Sequence, residues 1–206
     1  MNAQECLNLL RQLRDVTFST VSRDGKPEAR IIDVMLVEEG TLYFCTARGK
    51  DFYAQLVHDG NVSITGLTKD YKMLRLSGKA ERLKEQKPWI DRIFAENPSM
   101  NGVYPGESRY ILEPFCISDG QIEWFDLNVS PIERETFAFG AEEPREKGFA
   151  ITENCIGCGT CAAVCPQQAI DPGTPYAIRQ RNCLHCGLCF ESCPVEAIVR
   201  RTEETP

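Results

Sequence analysis

A mainly β domain followed by a small α+β domain is the fold class that this sequence predicts. Three observations predict it. Residues 16–127 carry short apolar runs broken by Asp-Gly and Glu-Gly turns, with few stretches of helical period. The last third holds eight of the 11 cysteines, in two runs of one spacing. Between them lies "GAEEPREKG" (140–148), charged and without apolar period, which reads as an exposed connection. The expected division is a domain over 1–140, a linker over 141–147 and a second domain over 148–206.

The elements follow in chain order. "CLNLLRQL" places Cys6, Leu9, Leu10 and Leu13 on one helical face. "VTFSTVS" (16–22) reads as a strand, and "RDGKP" as a turn centred on Asp-Gly. "ARIIDVMLVEE" (29–39) is a second strand, apolar on both faces: Ile31, Met35 and Val37 on one, Ile32, Val34 and Leu36 on the other. A small barrel buries one face of each strand, so a helix or a second subunit is expected to cover the outside of this one. "TLYFCTA" (41–47) is a third strand, "GKDFYAQLVHD" (49–59) a short helix, and "NVSITGLT" (61–68) and "YKMLRLSGKAERL" (71–83) are further strands. "EQKPWIDRIFAEN" (85–97) reads as a helix. "YILEPFCISDG" and "QIEWFDL" read as a closing hairpin through Asp119-Gly120. Many strands with hairpin turns and a few short helices suggest a closed barrel. "NVSPIERETFAFGAEEPREKGF" (128–149) is expected to be linker.

The cysteine runs carry the strongest chemistry. "NCIGCGTCAAVCP" holds Cys155, Cys158, Cys161 and Cys165, and "NCLHCGLCFESCP" holds Cys183, Cys186, Cys189 and Cys193. The offset is 28 residues at every cysteine, and it also matches Asn154 with Asn182, Gly159 with Gly187, and "AI" at 169 with "AI" at 197. Two such units should be related by a pseudo-twofold axis. C-x2-C-x2-C-x3-C-P puts three thiolates on one tight loop and sends the fourth away on a helical turn. That is the iron–sulfur run in which the fourth cysteine serves the other cluster. Zinc is the rival, although its four-thiolate sites usually join two separated C-x2-C pairs. Each proline stops the chain from continuing as helix, and Gly157, Gly159 and Gly187 let backbone N–H groups approach sulfur. His185, where the first repeat has Gly157, reads as an exposed spacer, and Tyr176 as packing over a cluster.

Cys6, Cys45 and Cys116 share no spacing and sit in apolar stretches, so they read as buried thiols. Free thiols and oxygen-sensitive clusters point to a reducing cytoplasm. The opening "MNAQECLNLLRQLRD" lacks the basic start and long apolar run of a signal peptide. No stretch reaches the roughly 18 apolar residues of a spanning helix. The net charge of −7 argues against a nucleic-acid or anionic-membrane surface.

From Gly148 to Arg201 the chain resembles the bacterial two-[4Fe–4S] ferredoxins. Carried over by position, the resemblance puts Cys155, Cys158 and Cys161 with Cys193 on one cluster, and Cys183, Cys186 and Cys189 with Cys165 on the other. Residues 3–140 resemble the FMN-binding split barrels, the pyridoxamine 5′-phosphate oxidase-like family, on "EARIID", "GTLYFCTARGKDF" and "YKMLRLSGKAERL". The implied architecture is a split β-barrel followed by a ferredoxin-like two-cluster domain. The resemblance implies FMN, with Arg30, Lys50 and Thr46 at its phosphate and Ile31, Ile32, Asp33 and Cys45 along its ring. A phosphate dianion calls for fixed cations and N–H donors, which a planar guanidinium and a point-charge ammonium can supply. The family resemblance also implies a homodimer with flavin near the interface; deazaflavin F420 and haem occupy related barrels. Pyridoxamine phosphate oxidases carry C-terminal Arg and His residues for the substrate phosphate. Here "PIERETFAFG" and the cysteine domain follow instead, so that activity is not carried over.

The expected function is an iron–sulfur flavoprotein oxidoreductase that passes electrons between two [4Fe–4S] clusters and FMN and reduces a small substrate. The alternative is an electron-transfer module serving a redox partner. No G-x-G-x-x-G segment supports a dinucleotide site.

Overall fold

The computed structural model of the protein describes residues 1–143, 145 and 147–201. Positions 144 and 146 of the expected linker, and 202–206, lie outside the described residues. Two compact units are present. The first gathers Met1–Lys69, Met73–Glu123 and Phe137–Glu143; the second gathers Asp70–Lys72, Trp124–Thr136 and the described residues from 145 onward.

The first unit opens with α1 (Ala3–Leu13). Asn2 and Glu5 form a reciprocal capping box, each side chain accepting from the other's backbone N–H at 2.9 Å. Its fully buried residues are Cys6, Leu7 and Leu10, so the apolar stripe is turned one step from the expected one, with Leu9 and Leu13 half-buried. Then come β1 (Asp15–Val21), β2 (Pro27–Asp33), β3 (Leu36–Glu38), β4 (Thr41–Ala47), α2 (Asp51–His58), β5 (Asn61–Leu67), β6 (Lys72–Lys79), β7 (Glu81–Arg82) and α3 (Gln86–Glu96). Two short 3-10 turns lead to β8 (Leu112–Ile117), β9 (Gly120–Asp126) and β10 (Glu133–Phe139).

These strands make two open sheets, with orders β10-β9-β6-β5-β1-β2 and β3-β4-β8-β7. The closed barrel is therefore corrected to a split one. The expected 29–39 strand is two strands in different sheets, and so is 71–83, which passes from β6 to β7 at buried Ala80. The first crossing, at buried Val34–Met35, satisfies its backbone through groups from several segments. Val34 donates to the Arg14 carbonyl (2.8 Å) and accepts from Arg11 Nη1 (2.7 Å). Met35 donates to the Tyr43 carbonyl (2.9 Å) and accepts from buried Asn97 Nδ2 (2.9 Å). Buried backbone groups need such partners, and here α1 with its C-cap Arg14, Asn97 at the end of α3, and Tyr43 of β4 supply them. The doubly apolar run is thus a strand changing sheets, and Ile31 stays 61% exposed.

Two further expectations change. β8 and β9 lie in different sheets, so Asp119-Gly120 joins sheets and closes no hairpin. "ERETFAF", expected as linker, is β10, an edge strand beside fully buried β9.

The core lies between the sheets. Phe18 of β1 meets Phe44 of β4 with ring centroids 4.8 Å apart, Phe44 meets Phe115 of β8 at 5.6 Å, and Phe52 of α2 closes on both at 5.9 Å. Burying each such ring contributes on the order of 1.5–3 kcal/mol. α1 lies on β5 at Gly66, where a Cβ would stand 2.7 Å from Leu13 Cδ1.

In the second unit, β11 (Phe149–Ile151), α4 (Thr160–Val164) and β12 (Ile170–Asp171) make one repeat; β13 (Ala177–Ile178), α5 (Leu188–Glu191) and β14 (Ile198–Arg200) make the other. The repeats exchange strands: β11 pairs with β14, and β12 with β13. That reciprocal pairing is what a pseudo-twofold relation requires, with the two ladders one residue apart in register.

Candidate electron-transfer site

The second unit contains two cavities, and its eight repeat cysteines divide between them. Cys155, Cys158, Cys161 and Cys193 line one, with about 290 Å³ of space between atoms, part of it open to solvent. Cys165, Cys183, Cys186 and Cys189 line the other, with about 360 Å³ on the same measure. Each cavity takes three cysteines from one run and the fourth from the other.

Backbone groups are aimed at these sulfurs. Ala169 N–H donates to Cys165 Sγ and Ala197 N–H to Cys193 Sγ, both at 3.3 Å. The residues just before them, Gln168 and Glu196, hold φ of 50° and 52°, a left-handed bend that turns each N–H back toward sulfur. The bend, the bond and the cysteine all recur at the 28-residue offset. In the first run Gly157 (φ 68°) faces Thr174, whose Oγ1 would lie 2.7 Å from an added Cβ. Its counterpart His185 shares the left-handed conformation (φ 57°) and donates its N–H to Cys183 Sγ at 3.4 Å. His185 is not the expected exposed spacer. Its ring is half-buried against Gly148, where a Cβ would stand 2.7 Å from Nε2. Tyr176 borders the Cys155 cavity, its hydroxyl facing Gly159.

The thiols differ in their electrostatics. Burial pushes Cys189 up to about 11 and raises Cys161 and Cys183. At Cys183 the His185 N–H and the Arg134 charge pull the other way. The Thr160 hydroxyl, 3.5 Å from Cys158 Sγ, lowers that thiol. Loading a metal group requires these protons to leave. Four thiolates around each cavity are the ligand set that a four-iron cluster takes, each on its own iron.

In the first unit the predicted residues sit on β2, β4 and the start of α2. Arg30 reaches inward, its guanidinium donating to Thr20 Oγ1 (2.5 Å), Gln55 Oε1 (3.0 Å) and Glu28 Oε2 (3.1 Å) and lying 4.7 Å from the Phe52 ring centroid. Sequence reading did not single out Thr20 and Gln55, buried polar residues that brace it. A polar Gln on the apolar face of a short helix was the available signal. Lys50, exposed, is the N-cap of the same helix. Thr46 is buried, and its Oγ1 has no hydrogen-bond partner among the described residues. Cys45 is buried beside it; burial first, then Asp33, push its thiol up to about 12, with Lys50 opposing. Asp33 is also 3.2 Å from Arg14 Nε. Ile32 is half-buried and Ile31 points outward from the edge strand. An unpartnered hydroxyl, an ammonium and a helix start fit an anionic group. Arg30, held by Glu28, is the less available cation.

Residues 3–101 match the family model for pyridoxamine 5′-phosphate oxidase, and residues 154–197 the model for a 4Fe-4S dicluster domain. The chain joins an oxidase-like split barrel to a dicluster domain. Among solved structures, a NimC/NimA family protein from Clostridium acetobutylicum superposes with a TM-score of 0.57 at 19% identity, over 67% of this chain and 92% of its own. General Stress Protein 26 from Bacillus anthracis gives 0.53 at 19%, over 68% and 100%. A heme binding protein from Mycobacterium smegmatis gives 0.51 at 16%, over 66% and 58%. These likenesses concern the fold of the oxidase-like domain. No curated protein matches the chain. The dicluster match spans both cysteine runs and therefore both cavities. No described helix is long and apolar enough to cross a membrane.

Proposed function

We propose that the protein is an iron–sulfur flavoprotein oxidoreductase that passes electrons between two [4Fe–4S] clusters and FMN and reduces a small substrate. One observation carries this reading: two cavities, each lined by four cysteines in crossed combination, in the same chain as an oxidase-like split barrel. When bound, the clusters move single electrons and FMN exchanges one or two, so together they couple one-electron carriers to two-electron chemistry.

The chain's own residues would do the holding. Cys155, Cys158, Cys161 and Cys193 ligate one cluster, and Cys165, Cys183, Cys186 and Cys189 the other. Ala169 and Ala197 steady the crossing ligands. Lys50, Thr46 and Arg30 take the FMN phosphate, with Ile31, Ile32, Asp33 and Cys45 along the ring. The residues of 1–140 and 148–206 form the corresponding domains. A homodimer in a reducing cytoplasm completes the proposal; exposed Ile31 on edge strand β2 supports an outer face awaiting cover.

A second reading, an electron-transfer module for a partner protein, is favoured by exposed Cys158 and Cys186, which bring each cavity to the surface. Anaerobic reduction of the flavin, followed by single-turnover mixing with candidate small acceptors or with ferredoxin-type proteins, tests the two. Reoxidation by a small acceptor alone supports the enzyme. Reoxidation only by a protein carrier supports the module.

A further inference from the structure

The two cluster sites share a 28-residue repeat, so the places where the repeat breaks are informative. Ahead of the first run stands Glu153, and ahead of the second, Arg181. After crossing Cys193 stands Glu196; after crossing Cys165, Gln168. The Cys155 cavity is thus flanked by two exposed carboxylates, and its counterpart by a guanidinium and a neutral amide. One further cation has no repeat counterpart. Arg134, from a segment that sequence reading assigned to the linker, donates from Nη1 to the Cys183 carbonyl at 3.3 Å. Its guanidinium lies 4.7 Å from the Phe125 ring centroid, and its Nε is shielded from solvent.

The segment is fastened on both sides of that cavity. Ile132 N–H donates to Gln167 Oε1 (3.0 Å), and Asn182 Nδ2 donates to the Ile132 carbonyl (2.9 Å). Arg181 faces Glu133 and Glu135 at 3.4 and 3.6 Å, so two carboxylates meet one guanidinium there, all three solvent-accessible and screened by salt. Arg179 is likewise paired with Asp171. Arg200 lies 5.8 Å from the centroid of Phe149, a lining residue of this same cavity. At the other site the Thr160 hydroxyl, 3.5 Å from Cys158 Sγ, acts in the opposite sense.

We propose that Arg134 sets the two clusters at different potentials, so that the one held by Cys165, Cys183, Cys186 and Cys189 is reduced first. The inference rests on the two-cluster reading above. Accepting an electron adds negative charge, and a fixed cation favours that state. Cluster potential responds to local charge, to hydrogen bonds on sulfur and to exposure. A partly buried cation acts through a lower effective dielectric than exposed carboxylates, whose influence salt screens. Arg134 is therefore a positioning charge: it touches the ligand's backbone and not the reacting atoms.

The test is an anaerobic redox titration with dithionite, followed by electron paramagnetic resonance, on the full chain with iron counted. Cys186→Ser marks the signal of one cluster. In the wild type the marked cluster should have the higher midpoint. Arg134→Gln should lower that midpoint by about 59 mV, a tenfold change in a one-electron equilibrium, and leave the other nearly unmoved. Arg134→Lys should restore most of the difference. If the marked cluster has the lower midpoint, or Arg134→Gln moves both equally, the assignment is overturned. Fewer than two clusters in the wild type would instead overturn the reading beneath it. Should Arg134→Gln fail to fold, the wild-type order and Arg134→Lys still decide.

Discussion

Lys50 and Arg30 enter the polar network differently, and that makes them unequal probes of one proposed phosphate. Lys50→Ala removes an exposed charge at the start of α2, and losing one charged hydrogen bond to a dianion costs roughly 1.5–3 kcal/mol. FMN affinity should fall by about one to two orders of magnitude, while riboflavin, lacking the phosphate, binds as before. Equal losses for both ligands would move Lys50 away from the phosphate. Arg30→Ala should do more, because it strips a partner from buried Thr20 and Gln55. It is expected to lower the midpoint of thermal unfolding as well as FMN affinity. Cys45 gives a separate residue-scale prediction. Its thiol, held near 12 by burial, stays protonated in the folded chain when an unfolded one would ionise. That contribution to stability is whole below about pH 9 and fades as pH rises from there toward 12. Iodoacetamide at pH 8 should therefore label Cys45 only after denaturation, and rapid labelling of the native protein would contradict its burial. The cluster cysteines were legible in the sequence because ligand spacing is local and was written twice. Arg134 was not, because its charge acts across about 50 residues of chain from a stretch whose Glu and Arg content reads as solvated.

Among elements, the crossing cysteines carry the sharpest consequence. Cys165 follows α4 in the first repeat but lines the cavity of the second run. Cys165→Ala should damage the cluster of Cys183, Cys186 and Cys189 and spare the other, as read by paramagnetic resonance. Damage confined to the Cys155 cluster would reverse the assignment. Most strands and both longer barrel helices could be read from period and turn residues, and β4 falls at the expected limits. The two sheet crossings could not. An apolar run covered on both faces and one that changes sheets present the same pattern, and only the partners of Val34 and Met35 distinguish them. β10 was hidden for a related reason: an edge strand needs little apolar content when fully buried β9 supplies its ladder.

At the scale of the whole molecule, edge strand β2 with exposed Ile31 is the feature that the homodimer proposal explains. An obligate interface would bury on the order of 2,000 Å² or more. Sedimentation at micromolar concentration should give twice the chain mass of 23.2 kDa, and Ile31→Lys should shift it toward the monomer. A wild-type monomer retaining flavin would remove the dimer from the account. The central claim is that one chain holds both kinds of redox centre. Native mass spectrometry of anaerobically prepared protein tests it most directly. The account predicts two [4Fe–4S] clusters and one FMN per chain; zinc in the cysteine cavities, or a chain with clusters and no flavin, would contradict it.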